Sequence, residues 1–117
     1  MWIMISGPYR TDANSETERA ANAYALNRVA YEVLRKGHVP IVGVNLARPI
    51  IDATERDLYE RVMMTLCLEL ASRCDAVLRL DGVSPGADQE VECIRARGGL
   101  VFSSVDDIPP GDLRLID

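Results

Sequence analysis

The chain has 117 residues, of which 48% are hydrophobic, and a formal net charge of −5 with no Lys/Arg-rich run. This composition fits one folded domain with its own core and argues against a disordered chain. A nucleic-acid polymer requires a basic face, so we expect no such partner. A single nucleotide needs only one Arg and a few backbone amides, so it remains a possible ligand.

No apolar stretch is long enough to span a bilayer, and Met1 leads directly into an apolar run without a basic region. We therefore expect no membrane partner and no signal peptide. The three cysteines contain no CxxC pair, and His38 is the single histidine. We expect no metal, no cofactor and no disulfide framework, and a cytoplasmic location.

The first half of the chain predicts a strand, a helix and a second strand. Residues 2–7 form a short apolar run that is typical of a buried strand. Ser15 and Glu18 fit a capping box, and the helix that follows ends near Lys36. Residues 38–44 predict the second strand.

The second half continues the alternation. Residues 45–53 predict a connecting loop, and residues 54–57 predict the start of a helix that reaches Cys74 with an apolar residue at every fourth position. Three more elements follow, namely a strand at 75–80, a helix at 84–97 and a strand at 100–104.

The order β-α-β-α-β-α-β predicts an α/β fold with a parallel sheet and helices on its faces. In such sheets ligands bind beyond the carboxyl ends of the strands, near the point where the strand order reverses. This rule selects four loops as candidate ligand sites, at 7–14, 44–53, 81–88 and 103–108.

Two of these loops supply candidate substrate-binding residues. Ser6, Gly7, Tyr9 and Arg10 precede a helix N-terminus, where glycine permits close backbone approach and Arg10 can bind a phosphate. The alternative is an ordinary turn with an exposed Arg. Asn45, in the loop after the second strand, is a further candidate. No GxGxxG fingerprint and no P-loop is present.

The stretch SPGADQE, residues 84–90, predicts a second helix start in the cleft. Ser84 fits the N-cap, Pro85 the first helical position and Gly86 the second. Glycine so early in a helix costs about 1 kcal/mol relative to alanine. We therefore expect a ligand to approach the backbone at Gly86, and together with Arg10 the two helix starts predict an anion pocket.

Helical spacing separates Glu90 from the other acids of this helix. Glu90 borders the apolar arc beside Gly86, whereas Asp88 and Glu92 lie on the far side. A carboxylate at that border is partly desolvated and is a candidate catalytic group. The alternative is a rim Glu90 paired with Arg97 or Arg10.

Arg79 is a charged residue in an otherwise apolar strand. It could orient a catalytic carboxylate or bind phosphate, and the alternative is an edge strand or a salt bridge between subunits. Met63 and Met64 are interpreted as core or interface residues.

Three segments resemble the nucleoside 2-deoxyribosyltransferase superfamily, which includes the 2′-deoxynucleoside 5′-monophosphate N-glycosidases. They are IMISGPYR (3–10), CDAV (74–77) and S-x-G-A-x-x-E (84–90). The resemblance implies that residues 1–117 form one domain of this type, with a Rossmann-like, flavodoxin-type three-layer α/β/α sandwich and a sheet of four to five strands. It also implies a homodimer or homotetramer.

The resemblance further implies an activity at the N-glycosidic bond of a nucleoside or nucleotide. Glu90 matches the nucleophile that attacks the anomeric carbon, and hydrolysis or transfer to a second base follows. Ser84 and Gly86 match positions at the phosphate or sugar, and Gly7 and Arg10 match the first-strand loop. The alternative function is a non-catalytic nucleotide-binding or sensing domain.

Two positions depart from the family pattern. The hydrolases carry an Asp that assists base departure on the helix before the CDAV-type strand, and the matching position is Leu66. They also carry a Tyr in the first strand, where this chain has Met4. The residues that could supply the missing proton chemistry are Asp52, Asp57 and Tyr59.

Overall fold

The structure is a computed structural model that describes residues 1–10, 14–54 and 58–117. Four parallel strands form one sheet in the order β2-β1-β3-β4. Their bounds are β1 Trp2–Ser6, β2 Val39–Ile41, β3 Ala76–Arg79 and β4 Leu100–Phe102. The predicted α/β class and parallel sheet are thus confirmed, whereas the three-layer arrangement stays a prediction.

Four α-helices connect the strands in the described ranges. They are α1 Glu16–Arg35, α2 Gly43–Asp52, α3 Tyr59–Ala71 and α4 Pro85–Ala96. The predicted cap of the first helix is confirmed, since the Ser15 hydroxyl accepts from the Glu18 amide at 3.1 Å. None of the helices in these ranges is long and apolar enough to cross a membrane.

The loop predicted at 45–53 is wrong, because α2 occupies Gly43–Asp52. Pro49 lies within this helix, where a proline removes only one helical hydrogen bond. Val44, Ala47 and Ile51 are buried at helical spacing, and burial of this apolar face outweighs the lost bond. The second strand ends earlier than predicted for the same reason.

The predicted helix start at 54–57 includes residues 55–57, which lie outside the described residues, and α3 begins at Tyr59. The prediction that Arg79 lies in an edge strand is wrong, because β3 pairs with β1 on one side and β4 on the other.

The core forms two clusters, and the alternation of β1 assigns its residues between them. One cluster joins the strands to α1 and includes Ile3, Ile5, Leu26, Ala30 and Val33. The other joins them to α3 and α4 and includes Met4, Ala71, Val77, Val91 and Ile94. The second cluster fixes where β1 and β3 lie relative to α4.

His38 lies at the amino end of β2 and is 3% exposed. Its Nε2 lies 2.6 Å from the carbonyl oxygen of Pro109, and the Gly111 amide donates to the carbonyl of Lys36. These contacts attach the C-terminal segment at the end of the sheet opposite the carboxyl ends of the strands.

Candidate functional site

A cavity of about 270 Å³ lies beyond the carboxyl end of β1, where the strand order reverses between β1 and β3. The loop after β1, the starts of α2 and α4, and α3 all contribute to its wall. The polar and glycine residues in the lining are Gly7, Tyr9, Arg10, Gly43, Tyr59, Glu60, Ser84, Gly86, Gln89 and Glu90. The position is the one that the sheet topology predicts for a ligand site.

Glu90 is the buried carboxylate of this cavity, with 8% of its surface exposed. The Ser6 hydroxyl donates to Glu90 Oε1 at 3.2 Å. Burial raises the pKa of Glu90 to about 7, while the Ser6 hydrogen bond and the charge of Arg79 act in the opposite direction. Glu90 is therefore divided between its neutral and charged forms near neutral pH.

The alternative pairing of Glu90 with Arg97 or Arg10 is not what the structure has. Arg97 donates to the carbonyl oxygens of Ala71 and Cys74. Arg10 pairs with Glu60. Neither arginine therefore forms an ion pair that would offset the free-energy cost of burying Glu90.

Ser6 lies at the end of β1 and is 1% exposed. It does not belong to the cavity lining, although we predicted it to bind substrate. Its hydroxyl instead donates to Glu90, which lies 84 positions later in the sequence. Ser6 is placed to orient the carboxylate.

The start of α4 has the cap that the sequence predicts. The Ser84 hydroxyl accepts from the Ala87 amide at 3.2 Å, and its carbonyl accepts from the Asp88 amide at 3.0 Å. Pro85 has no amide hydrogen. The Gly86 amide is therefore the donor of the first turn that a ligand in the cavity could use.

Gly86 has room for a side chain as far as the described residues are concerned. A Cβ built on it would lie 3.4 Å from Met64 Sδ, which is ordinary contact distance. Packing within the protein therefore does not require glycine here. Gly7 differs, because a Cβ there would lie 3.0 Å from Leu80 Cβ.

Arg10 lies at the cavity, half exposed, and is held by two neighbouring residues of α3. Its guanidinium carbon lies 4.1 Å from the ring centroid of Tyr59, and its Nη1 donates to Glu60 Oε1 at 2.9 Å. The first contact is a cation–π interaction and the second is an exposed ion pair.

The hydroxyl of Tyr59 is buried and has no hydrogen-bond partner among the described residues. Burial is the main reason that its pKa is raised to about 12. Tyr59 therefore stays protonated at neutral pH and can act as a hydrogen-bond donor but not as a base.

Tyr9 lines the cavity and its hydroxyl accepts from Arg48 of α2. Arg48 also pairs with Glu16 and with Asp52, each at 3.0 Å. Asp52, a candidate for the missing proton chemistry, is thus part of an ion-pair cluster outside the cavity lining. The carboxylates beside Arg48 raise its pKa further above its usual range.

The N-terminus of α1 is not part of the cavity, which corrects the prediction of two helix starts in one anion pocket. Its first turn already carries the carboxylates of Glu16 and Glu18. The Glu18 carboxylate accepts from the Asn14 amide at 2.5 Å. Of the two helix starts that we predicted for this pocket, the start of α4 lies at the cavity, and the start of α2 lines it as well.

Asn45 lies away from the cavity. It sits in the first turn of α2, exposed, and its side-chain amide donates to Asn27 Oδ1 of α1 at 2.6 Å. The predicted loop would have left Asn45 free to face the cleft, but the helix directs it toward α1.

Arg79 at the end of β3 pairs with Asp88 of α4 at 3.0 Å and donates to the carbonyl of Gly82. This is an ion pair within one chain, so the predicted subunit salt bridge does not describe it. Its charge acts to lower the pKa of Glu90, and Arg79 is not among the residues that line the cavity.

The two departures from the family pattern lie outside the cavity lining. Met4 is fully buried in the core. Leu66 lines a separate apolar groove together with Ile50, Leu58 and Val62. Asp57 lies outside the described residues.

Four residues of α3 that the sequence did not single out as functional line the cavity, namely Glu60, Met63, Met64 and Cys67. Only their helical spacing could have indicated them, and it needed the position of α3 to be known. Burial, with a smaller effect from Glu90, raises the pKa of Cys67 to about 12. Cys67 is therefore a thiol at neutral pH and not a nucleophile.

Within residues 1–10, 14–54 and 58–117, no group of three His, Cys, Asp or Glu side chains is placed to hold a metal ion. Comparison with protein-family models, with curated proteins and with solved structures found no significant match.

Proposed function

We propose that this protein cleaves the N-glycosidic bond of a nucleoside or nucleotide, with Glu90 as the nucleophile. The observation that carries the proposal is a buried carboxylate in the wall of a cavity, oriented by Ser6 and without a salt-bridging partner among the described residues. The resemblance of residues 84–90 to the nucleoside 2-deoxyribosyltransferase superfamily supplies the reaction.

The chemistry of Glu90 suits this role. A poorly solvated carboxylate is a stronger nucleophile than a hydrated one, and it stabilises positive charge at an anomeric carbon. In the first step a Glu90 oxygen bonds to the anomeric carbon and the carbon–nitrogen bond breaks. The base leaves with that electron pair and takes a proton from water.

A glycosyl ester of Glu90 results, and water or a second base attacks its anomeric carbon. Water gives hydrolysis and a base gives transfer. Either attack returns the bonding electrons to the carboxylate, so Glu90 is regenerated.

The remaining lining supports a nucleoside or nucleotide ligand. Leu26, Val42, Val44 and Met63 offer an apolar surface for a planar base. The Gly86 amide and Arg10 offer donors for sugar or phosphate oxygens.

The alternative function is nucleotide binding or sensing without catalysis. One observation favours it. Among the described residues, the carboxyl groups that line the cavity are those of Glu90 and Glu60, and Glu60 is paired with Arg10. The described part of the lining therefore offers no second unpaired carboxyl group to assist departure of the base. Leu66, which matches the family's proton-handling Asp, faces another groove.

A base-release assay tests the proposal. The protein is incubated at pH 8, where Glu90 is mostly ionised, with ribo- and deoxyribonucleosides and their 5′-monophosphates, and free base is measured by chromatography. We expect release from at least one compound and a loss of at least 100-fold in Glu90→Gln.

The matched control is Glu92→Gln, since Glu92 is an exposed residue of the same helix that pairs with Arg95. Its rate should equal that of the wild type. Binding of a nucleotide by calorimetry without release of base would favour the sensing function, and neither binding nor release would refute both.

A further inference from the structure

The charged side chains described in the cavity lining include more carboxylates than cations, which does not favour a negatively charged nucleotide. Arg10 is the single cation among the described residues of the lining, and Glu60 and Glu90 are the carboxylates. The cation is already paired, because Arg10 Nη1 lies 2.9 Å from Glu60 Oε1. An anionic ligand therefore meets a guanidinium that a protein carboxylate occupies.

The two contacts of Arg10 differ in how readily a ligand can replace them. The ring of Tyr59 lies against the guanidinium at 4.1 Å and offers no competing negative charge. Glu60, the next residue of α3, supplies a charged oxygen of the kind that a phosphate also has. A phosphate can thus replace Glu60 while Tyr59 keeps Arg10 in place.

The Arg10–Glu60 pair is also weak enough to be displaced. The side chains of Arg10 and Glu60 are 50% and 72% exposed. Exposed pairs of this kind contribute little because water screens them. A phosphate or carboxylate on a bound ligand can therefore compete for Arg10.

We infer that Glu60 is a specificity-determining residue, which occupies Arg10 in the free protein and must be displaced by an anionic ligand but not by an uncharged one. Glu60 thereby disfavours a nucleoside 5′-monophosphate relative to the corresponding nucleoside. This inference rests on the proposed function in that the ligand is a nucleoside or nucleotide.

Calorimetric titration tests the inference with one nucleoside and its 5′-monophosphate at low ionic strength. All variants carry Glu90→Gln, so that no ligand is consumed. We expect Glu60→Gln to tighten binding of the monophosphate by up to about fivefold and to leave the nucleoside unchanged. Glu69→Gln is the matched control, since it removes an equally exposed carboxylate of α3 that pairs with Arg73.

A double-mutant cycle separates release of Arg10 from a general change of charge. We expect the gain from Glu60→Gln to disappear in Arg10→Gln. Three outcomes would overturn the inference alone. The affinity could change equally for both ligands, the gain in affinity could equal that of Glu69→Gln, or the gain could persist in Arg10→Gln. If neither the Glu90→Gln protein nor the wild type bound either ligand, the inference and the proposed function would both be overturned.

Discussion

At the scale of single residues, Glu90 destabilises the fold when it is ionised. The cavity wall leaves it 8% exposed, and the Ser6 hydrogen bond compensates only part of the lost hydration. The pKa of about 7 in the folded protein, against 4.5 for an unperturbed Glu, measures this cost. Retaining a carboxylate here is consistent with a function that needs its charge.

The pH dependence of stability follows from this pKa. Between pH 4.5 and pH 7 the folded protein holds a proton on Glu90 that the unfolded chain has lost, so the free energy of unfolding falls as pH rises and then levels off. Glu90→Gln keeps an acceptor for Ser6 and cannot ionise. We expect it to be more stable than the wild type by up to about 3 kcal/mol at pH 8, with no difference near pH 4.5.

Urea denaturation at pH 4.5, 6 and 8 measures this difference. Glu92→Gln, on the exposed side of the same helix, should show no such trend. A Glu90→Gln variant with the same pH dependence as the wild type would show that burial does not shift the pKa of Glu90.

The sequence predicts Glu90 but not the contacts that the cavity residues make with one another. Helical spacing alone separates Glu90 from Asp88 and Glu92, because Glu90 lies at the edge of the apolar face of the helix and the other two lie on the opposite face. Its contact with Ser6 spans two distant segments, and the Arg10–Glu60 pair depends on where α3 lies. A local sequence pattern cannot predict either contact.

At the scale of elements, the first turn of α4 contains a glycine, Gly86, that packing within the protein does not require. A methyl group on Gly86 would contact Met64 Sδ at 3.4 Å without a clash. We expect Gly86→Ala to be as stable as the wild type or more stable by up to about 1 kcal/mol, since alanine favours a helix. The same methyl group would enter the cavity and weaken ligand binding.

Thermal unfolding and calorimetric titration with the ligand found in the base-release assay measure these two effects. Gly43→Ala is the contrasting variant, because its Cβ would lie 2.6 Å from Cys67 Sγ, and we expect it to lower stability. A Gly86→Ala protein that lost stability to the same degree would show that Gly86 is structural.

Helix α2 shows the limit of local patterns. The sequence predicted a loop over residues 45–53, but burial of Val44, Ala47 and Ile51 on one face stabilises a helix there. The consequence for the site was an incorrect expectation for Asn45, which a helix turns toward Asn27. By contrast, both helix caps, at Ser15 and Ser84, were predicted correctly because capping is local.

At the scale of the whole molecule, the strand order creates the site. The chain places β2 on one side of β1 and β3 on the other, so the connections that leave the carboxyl ends of β1 and β3 run in opposite directions and leave a cleft at this point. The alternating pattern of strands and helices was sufficient to predict a cleft at this edge of the sheet, but the predicted loop at 103–108 does not line the cavity, whereas α3 does. The pattern was not sufficient to predict the ligand, since the fold supports many chemistries.

The proposed role of Glu90 in this cleft is that of a carboxylate nucleophile. Its most direct test is the pH dependence of kcat/KM for base release between pH 5 and pH 9, because kcat/KM reports ionisation in the free protein. We predict a rise of about tenfold per pH unit below a pKa near 7, a plateau above it, and no comparable activity in Glu90→Gln. A rate that falls as pH rises through 7 would identify Glu90 as an acid and contradict the account.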